Sequence, residues 1–139
     1  MTHYRSALRT EAKAILKTNA LFAGAKQVLS SAKVDTDSVP CWSVSTPSED
    51  REELNRDHFR TDTNLVVALS IKDDAASIED VLDDHSETIE TLLIEGLKSN
   101  TGVQSVLLRR TEIKTGPEAK QIIGSVMILF EVTGFIQDV

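Results

Sequence analysis

Three kinds of side chain in this 139-residue chain are able to do chemistry, and each lacks the partners that its chemistry needs. The 22 Asp and Glu residues supply many carboxylates. Acid–base work by a pair of them requires surroundings that split their pKa values, and most of these residues lie on faces patterned for solvent. His85 falls on the apolar stripe of an expected helix, where an imidazole serves as a core or boundary residue, and no Cys or second His offers it partners at metal spacing. Cys41 is the only cysteine, so it closes no disulfide within the chain and is expected as a small buried hydrophobe. A Gly-rich phosphate loop, HExxH, CxxC and GxSxG are all missing. The expectation is a protein that is not an enzyme, with no catalytic residue, no cofactor and no metal.

The residues that stand out instead are the charged run SEDREELNRDHFRTD, Ser48 to Asp62, in which nine of fifteen side chains carry charge. It separates two strand-like apolar segments that a turn of two to five residues would join, and a connection this long signals a docking surface, a lid or disorder. Glu49, Asp50, Arg51, Glu52, Glu53, Arg56, Asp57 and Arg60 are the candidate interaction residues within it. Thr46-Pro47-Ser48-Glu49 matches a capping box with proline at the first helical position, so one or two helical turns over 47–55 are one possibility. With Leu54 as its one apolar residue such a helix has little to pack, and the alternative is a mobile loop or ribbon that orders against a partner.

The elements that must position this run follow from periodicity. A first helix is expected from about His3 to Asn19, with Tyr4, Leu8, Ala12, Ile15 and Leu16 on its apolar side and Arg5, Arg9, Lys13 and Lys17 in a row beside it. That row is either a solvated face or a basic surface that meets an acidic one. Val28–Ser31 suggests a short strand and Val39–Ser45 a better one, with Pro40 at its start or on an edge. Leu65, Val67, Leu69 and Ile71 share one face of the next strand while Val66 and Ala68 occupy the other, the pattern of a strand covered on both sides. An acidic amphipathic helix runs from about Ser77 to Leu97 and ends near Asn100 and Gly102. Two last strands, about 104–114 and 121–135, meet at Thr115-Gly116-Pro117-Glu118. The final strand is longer than a small domain's sheet needs, so it either bends at Gly124 or Gly134 or its end joins a neighbouring chain.

This order predicts a single α+β domain over residues 1–139: a mainly antiparallel sheet, two helices packed on one face, and a long charged loop between two central strands. No apolar run approaches the roughly 20 residues of a membrane-spanning helix, and the first residues hold no apolar stretch suited to a secretory signal, so a soluble protein made in the cytoplasm is expected. The net charge of −7 is segregated, with +5 over residues 1–34, −13 over 35–95 and +1 over 96–139. Blocks of opposite sign favour specific face-to-face contacts, and an acidic total disfavours nucleic-acid binding.

Val39-Pro40-Cys41-Trp42-Ser43-Val44, the charged stretch, Thr63-Asn64-Leu65-Val66-Val67-Ala68-Leu69, a long helix and a final alternating strand through Phe130-Glu131-Val132-Thr133 together resemble the tail terminator proteins of long-tailed (siphovirus) phages and phage-like particles. The likeness covers most of the chain and rests on element order, not on an invariant catalytic signature. It implies a structural virion protein at the head–tail junction, assembled in the host cytoplasm. Such a protein forms a homo-oligomeric, hexameric ring that caps the head-proximal end of the tail tube, stops tube polymerisation and presents a surface to a neck or head-completion protein. The implied partners are therefore further copies of itself, the tail tube protein and that neck protein, with DNA passing through the lumen without specific binding. Alternatives are another neck or head-completion connector, or a small cytoplasmic α+β binding or regulatory domain using the charged stretch as a lid. Reversal of Arg9 and Lys13 to Glu is expected to weaken the ring if the basic row makes its contacts.

Overall fold

The computed structural model describes residues 4–27, 40–74, 76–99, 102–116 and 121–137. In chain order these form α1 (Tyr4–Leu16), α2 (Ala20–Gly24), β1 (Lys26–Gln27), β2 (Cys41–Asn55), β3 (His58–Asp74), α3 (Ile78–Lys98), β4 (Val103–Thr115) and β5 (Gln121–Gln137). The strands make one sheet in the order β1-β2-β3-β5-β4, in which the four long strands are antiparallel and β1 runs parallel to the start of β2. This is an α+β fold with a mainly antiparallel sheet. The expected strand at Val28–Ser31 and part of the turn at 115–118 lie outside the described residues.

Alternation of side chains across each strand creates one apolar face, and the helices sit on it. Trp42 and Val44 of β2, Leu65, Val67, Leu69 and Ile71 of β3, Val106 of β4, and Val126, Ile128, Phe130 and Val132 of β5 form a single core with Leu8, Ala12 and Leu16 of α1 and Ile78, Leu82, Ile89, Leu93 and Leu97 of α3. In α3 the buried positions recur at helical spacing while Glu79, Asp80, Asp83, Asp84, Glu87 and Glu95 stay exposed, as amphipathicity requires. Between α1 and α2 the chain turns at Asn19, whose side-chain oxygen accepts the Leu21 N–H at 2.9 Å. The short α2 then lays Phe22 edge-on against Trp42 at 5.4 Å, and the Trp42 indole N–H donates to the Phe22 carbonyl at 3.2 Å.

The charged run is not an open loop, and residues 47–55 contain no helical turn. β2 continues through it and returns directly as β3, with Asp50 opposite Asp62, Arg51 opposite Thr61 and Asn55 opposite His58. Only Arg56 and Asp57 separate the strands. Neither has a positive φ, so the turn is not the primed type that tight hairpins favour. A register shift between Glu53 and Asn55 precedes it, and another between Ser45 and Ser48 lets β2 pass Pro47, which has no N–H for a ladder.

The overlong final strand is likewise accommodated within the chain. β5 pairs with β3 without a shift from Asp74 opposite Gln121 to His58 opposite Gln137, through both Gly124 and Gly134. Gly124 is instead where α3 presses on the sheet, since a Cβ there would lie 2.6 Å from Ile78 Cγ1 and 2.9 Å from Leu82 Cδ1. Gly124→Ala is therefore expected to destabilise the protein by about 1–3 kcal/mol through overpacking. It should lower the urea midpoint with little change in slope. An unaltered midpoint would show that α3 is free to lift from the sheet.

Candidate functional site

The far half of the β2–β3 hairpin forms a charged ribbon, and β5 backs its β3 side: Glu131 through Gln137 pair with Asn64 through His58. Three strands therefore hold it. Every residue from Arg51 to His58 is exposed, including Leu54 at the tip. There the Asn55 side-chain oxygen lies 2.7 Å from His58 Nδ1 and accepts the Asp57 N–H at 3.2 Å. Along one face Asp62 accepts the Thr133 hydroxyl at 2.7 Å and stands 3.7 Å from the Arg60 guanidinium. On the other the Arg51 guanidinium lies over the Phe59 ring at 5.6 Å.

The base of the ribbon is locked to α1. Beyond Leu65 the core-facing side of β3 changes from aliphatic to hydroxyl, and Thr63 and Thr61 are fully buried there. Opposite Thr63 stands Glu49, whose side chain is 8% exposed. A carboxylate so far from water needs partners. It has Arg5 Nε of α1 at 3.6 Å, Arg51 Nη2 at 3.5 Å, and the Thr63 hydroxyl donating at 3.3 Å. Arg9, one turn along α1, donates to the Thr46 hydroxyl and, at 3.1 Å, to Ser6 Oγ. Tyr4 completes the cluster with its hydroxyl buried near Thr61 and Gly134. Burial raises the Tyr4 phenol pKa above its ordinary value of 10.0, the Thr61 hydroxyl pulls it partly back, and the Glu49 carboxylate pushes it up again.

Among the residues expected to make contacts, Arg5, Arg9, Glu49 and Arg51 thus come together inside the chain, basic row against acidic ribbon. Lys13 lies further along α1 and is half-buried, and Lys17 is exposed in the turn that follows the helix. Asp50, Glu52, Glu53, Arg56, Asp57 and Arg60 line the exposed ribbon. Reversing Arg9 would break its bond to Thr46 before it reached any outside partner, so Lys13 is the cleaner probe of the row's outward role. Tyr4, expected on the apolar side of the first helix, Thr46, expected in a capping box, and Thr61 and Thr63 also belong to the cluster. The signal for the two threonines was their period of two in phase with Leu65, Val67 and Leu69.

Among the described residues, two clefts lie beside the sheet. One, of about 300 Å³, is lined by Leu21, Pro40, Ile71, Lys72, Asp73, Val81 and the half-buried His85. Asp73 there accepts the Asp74 N–H at 2.7 Å and the Ser77 hydroxyl at 3.4 Å, which helps start α3. The other, of about 180 Å³, lies on the face away from the helices among Val66, Arg110, Glu112, Met127 and Leu129. Cys41 is buried at the start of β2. Among the described residues no three His, Cys, Asp or Glu side chains come together as a metal site would require, and no helix is long and apolar enough to cross a membrane. Compared with known protein families and with curated proteins, the chain matches none.

Two outcomes test this anchorage. Glu49→Ala removes a charge-assisted hydrogen bond and two ion pairs to half-exposed arginines, so a loss of about 1–2 kcal/mol is expected in denaturant titrations, and no loss would mean that the ribbon holds itself. Tyr4 is the only tyrosine, so phenolate absorbance reads it alone. Because its folded pKa lies above the unfolded one, its contribution is intact below pH 10 and is lost as pH rises through the folded value. Tyr4→Phe should abolish that alkaline loss, whereas a normal phenol titration in the folded protein would refute the buried environment.

Proposed function

We propose that this protein is a tail-terminator-like structural protein, which closes the head-proximal end of a phage-type tail tube as a ring of identical copies and offers its other side to a neck or head-completion protein. The observation that carries the reading is the ribbon: an ordered, three-stranded, charged projection anchored through a buried carboxylate and exposed at every residue from Arg51 to His58. A projection held this firmly presents fixed charges to a partner without first losing the entropy of a loop. The segregated charge supports the same reading, since ring contacts are heterologous and bring different faces of neighbouring copies together. The acidic surface of α3 and the ribbon would repel passing DNA if they line the lumen. On this reading the protein works at the head–tail junction after assembly in the host cytoplasm, and performs no catalysis.

A second reading, a small binding or regulatory domain, draws on the cleft at His85, where a histidine, a lysine and a carboxylate stand beside apolar walls. Electron microscopy of the purified protein, alone and with tail tubes, separates the two. Rings of uniform diameter, and tubes that stop growing once the protein is added, are expected. A compact monomer or dimer that leaves tube growth unchanged would overturn the capping role.

A further inference from the structure

The sheet ends in two long edges of opposite charge. On one side, β1 covers only Cys41 and Trp42 of β2, and among the described residues no strand pairs with the outer side of Ser48–Asn55, where Asp50, Glu52 and Glu53 are exposed while Glu49 and Arg51 are engaged with one another in the anchor. On the other side, among the described residues, β4 pairs with β5 alone, and its outer half carries Arg109, Arg110 and Lys114 against the single Glu112. Asp50, Glu52, Arg109 and Arg110 are all exposed. Open edges of this length are normally blocked or paired.

We propose that the acidic edge of β2 in one copy pairs with the basic edge of β4 in the next, so that the sheet continues from copy to copy. Directions permit it. The four long strands alternate along β2-β3-β5-β4, so a neighbour related by rotation presents its β2 antiparallel to the first copy's β4. Register permits it as well. Across one sheet Arg110 is level with Leu129 and Val66, while Asp50 is level with Asp62, four residues earlier in β3. Bringing Asp50 of one copy beside Arg110 of another therefore requires a stagger of four residues per copy. A closed sheet whose shear equals its strand number, as in the eight-stranded barrel of shear 8, staggers by about one residue per strand, or about four for a unit of four strands. The same stagger sets Ser48 beside Glu112, which keeps that carboxylate away from the acidic residues. Ser48–Glu53 of one copy would then run alongside Val106–Glu112 of the next. In this register Asp50 against Arg110 is the directly opposed pair of unlike charge, and such a cross-strand pair stabilises the contact whereas like charges there oppose it.

The pairing rests on the ring reading only for its closure. It is tested with the full chain by native mass spectrometry and electron microscopy of Asp50→Arg, Arg110→Asp and the combined variant, with thermal melts as the folding control. Each single variant is expected to weaken association several-fold, and the combined variant to restore it. Ser48→Cys with Glu112→Cys should yield a covalent ladder of copies under mild oxidation. Rings that persist in both single variants without cross-linking would overturn edge pairing and leave the capping role standing. Cross-linked open chains would uphold edge pairing and overturn the closed ring. A monomer at every concentration would overturn both.

Discussion

The unbroken pairing of β3 with β5 is the constraint on which this structure hangs. Each strand has seventeen residues, and their register holds from one end to the other. Because side chains alternate between faces, a slip of one residue in β3 would send Leu65, Val67 and Leu69 to the face without helices and put the smaller Val66, Ala68 and Ser70 under α1 and α3 in their place. The irregularities fall elsewhere. β2 shifts register near Pro47 and again before its turn, and β4 shifts after Val103 and after Leu108, so every bulge lies in a strand that flanks this central pair. Bulges twist and bend the strands that contain them, and here that distortion is confined to the outer strands. Gly102, with φ of +95°, supplies the left-handed turn leading into β4, and its carbonyl accepts the Phe135 N–H at 3.0 Å, which fastens the end of β4 to the far end of β5.

That one ladder serves two environments. Over residues 65–71 its helix-facing side is aliphatic and lies under α1 and α3. Over residues 59–63 the same side carries Thr63, Thr61 and Phe59, and what packs on it is a polar cluster around Glu49 and Tyr4. Burying a carboxylate requires compensation, which the arginines of α1 and of β2 provide together with Thr63. The first turns of α1 are therefore bound to the ribbon by polar contacts, while its later turns are bound to the core by Leu8, Ala12 and Leu16. A helix held in both ways ties the position of the ribbon to that of the body.

The elements with strong hydrophobic periodicity were legible in the residue pattern. The stripe Ile78, Leu82, Ile89, Leu93, Leu97 gives α3 its range to within a residue or so, and the alternation around Leu65 and Val126 identifies the central strands and their buried face. The ribbon was not legible, because its β structure is imposed by neighbours and not by apolar alternation. Glu52 and Glu53 have low strand propensity and bury nothing, yet Arg60 and Phe59 stand opposite them, with β5 behind. Pro47 and the four-residue match to a capping box pointed towards helix, but backbone pairing with an already ordered β3 outweighs so short a helical signal. The anchor was half legible. Four of its charged members stood out by charge, while Tyr4 and the threonines acquire their meaning only from being buried beside Glu49.

Anchoring changes what the charges of the ribbon can do. Ion pairs as exposed as Arg60 with Asp62, or Arg110 with Glu112, add little to folding stability. On a flexible loop the same groups would also have to lose conformational freedom before meeting a partner. Held on three paired strands, they keep fixed spacing, so their field can orient an approaching surface and discriminate between complementary and like-charged partners. The apolar contribution at the tip is small, because Leu54 is its main exposed apolar side chain and is only half exposed. Recognition by this ribbon must then come chiefly from directed polar contacts and backbone pairing along its edge, with a strong dependence on ionic strength, and contact area alone would be a poor guide to its partner.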